Sequence, residues 1–208
     1  MYKKLDQSMI RAIMETGIDE FARCGLDRAN INTIAKKAGV SVGVIYKYFS
    51  DKNGFFLECL KYSLGSLDEV LQEAAGCETD VLTGIRRVVQ ALIKHALEHP
   101  NHNAMYNEIS SGGCKQYAAE LAREIEGKSA QVYARLLENA RAAGKLDTEL
   151  DSRTLAFFID NLFMMLQFSY SCDYYRERAK LFLGEDALQN TEKITEGFMC
   201  FVRAALKA

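Results

Sequence analysis

The chemistry in this chain starts at residues 30–52, which read NINTIAKKAGVSVGVIYKYFSDK. Placing a helix from Ser41 to Phe49 on a wheel at about 100° per residue gathers Tyr48, Ile45 and Phe49 on one arc, which should face a core. Val42, Gly43, Tyr46 and Lys47 then share the outward arc, with a basic tip, a phenol and a glycine that removes steric bulk. Such a face fits the major groove of duplex DNA, where a lysine donates to guanine acceptors and a valine meets a thymine methyl. The Tyr46 and Tyr48 hydroxyls, Lys52, the helix starts at Asn30 and Ser41, and the exposed amides of the preceding helix suit phosphate oxygens. Any one of these residues alone fits a plain helical corner with a surface lysine. Their joint spacing favours DNA.

These side chains need helices to hold them. Ile10, Ile13, Met14, Gly17, Ile18 and Phe21 form the stripe of an amphipathic first helix ending near Gly25. Asn30 stands as N-cap to a second helix with Ile31, Ile34, Ala35 and Ala38 on its apolar side, closed by Gly39. After the turn at Gly39 and Val40, Ser41 caps the third helix, which gives a helix-turn-helix. Ser50 and Asp51 open a fourth, with Leu57, Leu60, Leu64, Leu67 and Leu71 at alternating spacings of three and four. Taking Ser50 as its cap puts Asn53 where a capping box needs a glutamate or glutamine.

The segment resembles the DNA-binding domain of the TetR family of bacterial repressors. Phe21, Ala22 and Gly25, then Ile34, Ala35, Ala38, Gly39, Val40 and Ser41, then Gly43, Tyr46, Phe49 and Lys52 fall in that family's order and spacing, across about residues 10 to 60. The resemblance implies a two-fold homodimer on double-stranded DNA, a helical ligand-binding body, and repression relieved by a small molecule. It also implies dimerisation through the last two long helices.

Charge agrees with a binding lobe at the N-terminus. Residues 1–62 hold 10 Lys and Arg against 7 Asp and Glu, and the remainder 16 against 21. Phosphate binding depends on the cations at the contact and not on total charge, so a basic lobe on an acidic body is compatible with DNA. The chain's 208 residues include a single Pro, which favours an all-α protein: a helix-turn-helix domain over residues 1–50 and a helical ligand-binding and dimerisation domain over residues 51–208. Helices are expected near Val81–Glu98, Asn101–Ser110, Lys115–Ala143, Asp151–Phe182 and Asp186–Leu206, with breaks at Gly76, Pro100, Gly112, Gly113, Gly144 and Gly184.

The stretch Leu155–Tyr170 is apolar on nearly every face, interrupted by Asp160, Asn161, Gln167 and Ser169, and falls short of the roughly 20 apolar residues of a membrane span. It reads as a buried helix whose second cover is a partner subunit, with Leu155, Leu162, Phe163 and Leu166 as dimerisation residues; a purely monomeric core is the alternative. Met105, Tyr106, Tyr133, Phe158, Met164, Met165 and Phe168 suit the lining of an effector cavity, with Asn161 and Gln167 as polar handles, although core packing explains the same set. An apolar or amphipathic effector is expected between the fourth helix and the body helices.

His95 and His99 share a helix face at the i, i+4 spacing of a metal pair, with His102 beyond Pro100. No carboxylate or cysteine at ligand spacing completes that set, and histidines in a last helical turn also interact with the helix dipole. A helical metal- or redox-binding protein built on this cluster is the competing function. The six cysteines, Cys24, Cys59, Cys77, Cys114, Cys172 and Cys200, are scattered without a C-x-x-C pair and read as buried free thiols, one of them a redox sensor in the alternative reading. No nucleophile, base and orienting group stand together and no phosphate loop is present, so the reading is a non-enzyme without a cofactor. The N-terminus shows no signal-peptide pattern, so a cytoplasmic location is expected.

Overall fold

The computed structural model describes residues 5–75, 80–110, 112–146 and 148–206, with backbone only at 66, 70, 74, 75 and 112. Gly76 and Cys77 lie outside the described residues. Among the described residues there is no strand, and the α-helices are α1 (Gln7–Arg28), α2 (Ile31–Lys37), α3 (Val42–Phe49), α4 (Lys52–Ala75), α5 (Val81–Glu98), α6 (Pro100–Asn107), α7 (Ala118–Ala142), α8 (Ser152–Ser171), α9 (Asp173–Leu183) and α10 (Thr191–Leu206). The chain forms two compact units: residues 1–65 with 101–119, and residues 66–100 with 120–208. This division differs from the expected boundary after residue 50. The first turns of α4 bring Phe55 and Phe56, both fully buried, into the first unit's core.

In the first unit, Phe21 of α1 meets Phe55 and Phe56 edge-on, at ring distances of 5.7 and 5.2 Å. Such aromatic pairs add about 0.5–1.5 kcal/mol each beyond area burial. Gly17 makes the close approach of α1 to α4 feasible, because a Cβ there would stand 2.6 Å from Phe55 Cζ and 2.7 Å from Cys59 Sγ. The first helix, expected to stop near Gly25, is broken there by non-helical backbone and resumes as far as Arg28. In the helix-turn-helix corner Gly39 takes φ +69°, a conformation that disfavours other side chains.

The second unit's core is built from Leu67 and Leu71 of α4, the buried face of α5, and residues of α7, α8 and α10. The α5 stripe, Val81, Ile85, Val88, Val89, Leu92 and Ala96, is buried along its length and its helix has the expected bounds. The expected single helix Asp151–Phe182 is two helices, α8 and α9, bent by 102°. Cys172 is extended (φ −113°, ψ 130°), and Arg176 donates to the Tyr170 carbonyl at 3.2 Å, so a side chain satisfies a carbonyl that the break releases. Among the described residues no single helix is long and apolar enough to cross a membrane.

Candidate DNA interface and effector cavity

Asn30 caps α2: its side chain accepts from the Asn32 amide at 2.9 Å. The α1–α2 junction is also held by a residue that sequence reasoning missed. Glu20 is 2% exposed; its Oε1 accepts from the Asn30 amide at 3.4 Å and its Oε2 from Arg23 at 2.7 Å, with Lys37 at 4.0 Å. Burial pushes this carboxyl up, and the Arg23 hydrogen bond, the Asn30 amide and the charges of Arg23 and Lys37 together bring it below its usual range. A lowered pKa means stability that is present above the carboxyl's ordinary pKa and lost as pH falls through the folded value. Glu20→Ala is expected to cost about 1–3 kcal/mol, by leaving the Asn30 amide and the α2 start unsupported, and to flatten the acid limb of urea denaturation curves. An unchanged midpoint at neutral pH would count against this role.

The third helix presents its outer face much as its spacing predicts. Ile45 is fully buried, Phe49 is half-buried with its ring 4.7 Å from Phe55, and Ser41, Gly43, Tyr46 and Lys47 are exposed, Tyr46 by 42%. Val42 is half-buried at the edge of that face.

Four expectations need correction. Tyr48 does not face the core: it sits at the border of the arc, 38% exposed, and its hydroxyl accepts from the Leu5 amide at 3.1 Å. Ser41 occupies the N-cap position of α3, but its hydroxyl makes no capping bond. The cap of α4 is Asp51, whose carboxylate accepts from the Gly54 amide at 2.8 Å, while Ser50 takes φ +60° and bonds to the Phe49 carbonyl; Gly54 and not Asn53 thus holds the third helical position. Lys52 is turned inward: its Nζ donates to the carbonyls of Asp27 (2.8 Å) and Ala29 (3.3 Å), closing the end of α1, so its charge serves the fold where phosphate contact was expected.

Residues 13–59 match the family model described as bacterial regulatory proteins, tetR family. The DNA-binding segment, residues 13–59, is of the TetR type. The N-terminal helix-turn-helix is the DNA-binding domain of a transcriptional regulator. The chain is 28% identical over 157 residues to the probable acrEF/envCD operon repressor of Escherichia coli K12, covering 73% of this chain and 70% of that one. It is 27% identical over 197 residues to the HTH-type transcriptional regulator BetI of Stenotrophomonas maltophilia, covering 94% and 91%. The fold is shared with the transcriptional regulator FadR of Bacillus subtilis, solved in complex with stearoyl-CoA, at a TM-score of 0.71 and 17% identity over 90% of this chain and 96% of that one.

In this regulator the nine effector-cavity candidates, the handles Asn161 and Gln167 included, are not brought together. Met105 and Tyr106 are buried in the first unit, Phe168 is buried in the second, and Phe158 and Met165 are exposed. Tyr133 lines a void of only about 10 Å³ with Ile85, Val88 and Phe163. The handle Gln167 is buried, with no partner for its Oε1. Asn161 and Met164 do line a cavity, of about 710 Å³, but it lies between α7 and α8 and not against α4. Its walls include Ala130, Ala134, Ala156 and Phe157, with Glu126 and Asp160 among its polar groups. Burial, and then the charge of Glu126, push the Asp160 carboxyl up to about 7. Burial and the charges of Asp160, Glu126 and Asp68 likewise push the Tyr133 phenol well above its usual range.

Of the dimerisation candidates, Leu155 and Phe163 are buried in the second unit's own core, Phe163 stacked 5.6 Å from Phe198 of α10. Leu162 and Leu166 are half-buried. The large apolar side chains left exposed are Phe157, Phe158 and Met165 on α8 and Phe201 on α10.

His102 donates to or accepts from Glu15 at 3.0 Å, and the rings of His95 and His99 lie 5.1 Å apart, tilted by 45°. Among the described residues no group of three or more His, Cys, Asp or Glu is placed to hold a metal ion. The cysteines also depart from expectation: Cys59 and Cys114 are buried thiols, Cys24 and Cys172 are half-buried, and Cys200 is exposed.

Proposed function

We propose that this regulator is a homodimeric repressor that reads a near-palindromic operator through α3 and is released by a small amphipathic effector. The observation that carries the DNA part is the outward face of Ser41, Gly43, Tyr46 and Lys47 on the second helix of the helix-turn-helix. Exposed Phe158, Met165 and Phe201 support a two-fold contact made by α8 and α10, because an apolar face of that kind on a regulator of palindromic DNA calls for a second copy. Residue by residue, base contact falls to Gly43, Tyr46, Lys47 and the edge residue Val42, and phosphate contact to Ser41, Tyr48 and the α2 start at Asn30. The α7–α8 cavity is the effector site on this reading, and an amphipathic ligand suits its mixed lining.

Selection from randomised duplexes, followed by anisotropy titration, tests this. An inverted repeat with half-sites about one helical turn apart is the expected outcome. On that operator Lys47→Ala should lose about 1–3 kcal/mol and relax preference at one position of each half-site, as removal of a direct base contact does. A loss that is uniform across sequences would move Lys47 to the phosphates, and failure to enrich any duplex would overturn the DNA reading.

A further inference from the structure

The α7–α8 cavity contains a carboxyl that the protein does not pair. Asp160, near the middle of α8, makes no ion pair or hydrogen bond among the described residues, and a second carboxylate, Glu126 of α7, is close enough to act on it. Neighbouring wall positions are apolar: Ala134, Phe157 and Met164. Asn161 commits one of its two amide hydrogens to the Phe157 carbonyl at 2.7 Å and keeps its carbonyl oxygen as an acceptor. The lining also contains Arg135 and Arg153, both exposed, so water and salt screen their charges. Neither is within ion-pair distance of Asp160.

We infer that the cavity takes a lipophilic monocation, with Asp160 as its counter-ion and Phe157 and Met164 as its apolar and aromatic walls. A volume of about 710 Å³ lies within the range of small-molecule sites. A carboxylate in such a place is costly unless paired, so an arriving cation gains both the attraction and the relief of that cost. A cation over the face of Phe157 is also favoured by the ring quadrupole, whereas an anion is opposed by Asp160, Glu126 and the ring face alike. A lipophilic cation is thus the chemical class of the effector in the proposed function, and its regulatory meaning rests on that reading; the binding itself is measured separately.

The probes are tetraphenylphosphonium and tetraphenylborate, which share size and shape and carry opposite charge. Calorimetric titration of the full-length protein is expected to show the cation binding about tenfold or more tighter than the anion. Asp160→Asn should remove that preference, Asp160→Glu should retain most of it, and Glu120→Gln, an exposed carboxylate outside the cavity, should leave it unchanged. Equal binding of both ions, an anion preference, or a cation preference that survives in Asp160→Asn would each overturn the inference. Titration of operator DNA in the same samples keeps the two readings apart. Cation binding through Asp160 without any change in DNA affinity would uphold the cavity's chemistry and refute the effector role, and normal operator binding without cation binding would do the reverse.

Discussion

Phe158→Glu together with Phe201→Glu is expected to make the protein monomeric and to weaken operator binding by a factor on the order of 10²–10⁴, the avidity lost when two linked half-sites become independent. The two rings are 53% and 60% exposed in a single chain, so replacing them removes little from the chain's own core. At a subunit contact the same change buries unpaired carboxylates against apolar surface, at a cost of several kcal/mol, on both copies. Phe163 provides the contrast. It is buried at 1% exposure and stacked on Phe198, so Phe163→Glu should unfold the second unit and leave nothing to assemble. Sedimentation and a circular dichroism melt separate the two cases. The double variant should sediment as a folded monomer with nearly unchanged helicity. An intact dimer in that variant, or a monomeric wild type bound tightly to its operator, would refute the assignment of this face.

The contrast between Phe158 and Phe163 also shows where sequence stops being informative. In α1 to α3 each helix announces its own ends, because Asn30, Gly25 and Gly39 act on backbone within a few residues, and the inward side of each stripe is marked by polar residues opposite. Those helices and the exposed face of α3 are legible for that reason. The helix α8 has few polar residues to mark a solvent side, so periodicity does not tell Leu155 and Phe163, which face the chain's own core, from Phe157 and Phe158, which do not. Its bend into α9 carries no Gly or Pro; the geometry depends on an arginine reaching back to a carbonyl, a contact no spacing rule encodes. Lys52 misleads for a related reason. An ammonium suits a phosphate oxygen and a peptide carbonyl equally, and only the fold decides that Asp27 and Ala29 are nearer. Glu20 and Asp160 read as ordinary charged residues until burial separates them, one surrounded by donors and the other by apolar walls and a second acid.

Asp160→Asn is expected to stabilise the protein at pH 8 and to leave it unchanged near pH 4. In an unfolded chain this carboxyl titrates near its ordinary value of 3.8, whereas burial and Glu126 hold it at about 7 in the folded state. Below the lower value both states are protonated and the group contributes nothing. Between the two values the unfolded state ionises while the folded state keeps its proton, so stability falls as pH rises, and above the folded value the loss is complete. Each tenfold change in the acid dissociation constant corresponds to about 1.4 kcal/mol, and the cavity's access to water reduces the sum, which leaves a gain of about 2 kcal/mol for the non-ionising amide. Of the charged groups around Asp160, Glu126 of α7 adds negative charge, while Arg135 and Arg153 are exposed and beyond ion-pair distance, so none of them reverses the sign. Urea denaturation of both proteins at pH 4, 6 and 8 checks this: the two midpoints should coincide at the lowest pH and separate progressively, with the variant the more stable. Curves that stay parallel, or a variant less stable at pH 8, would show that Asp160 is neutralised within the protein. Saturating tetraphenylphosphonium should then narrow the gap at pH 8 from the wild-type side, since the cation binds more tightly to, and so stabilises more, the chain that retains the carboxylate.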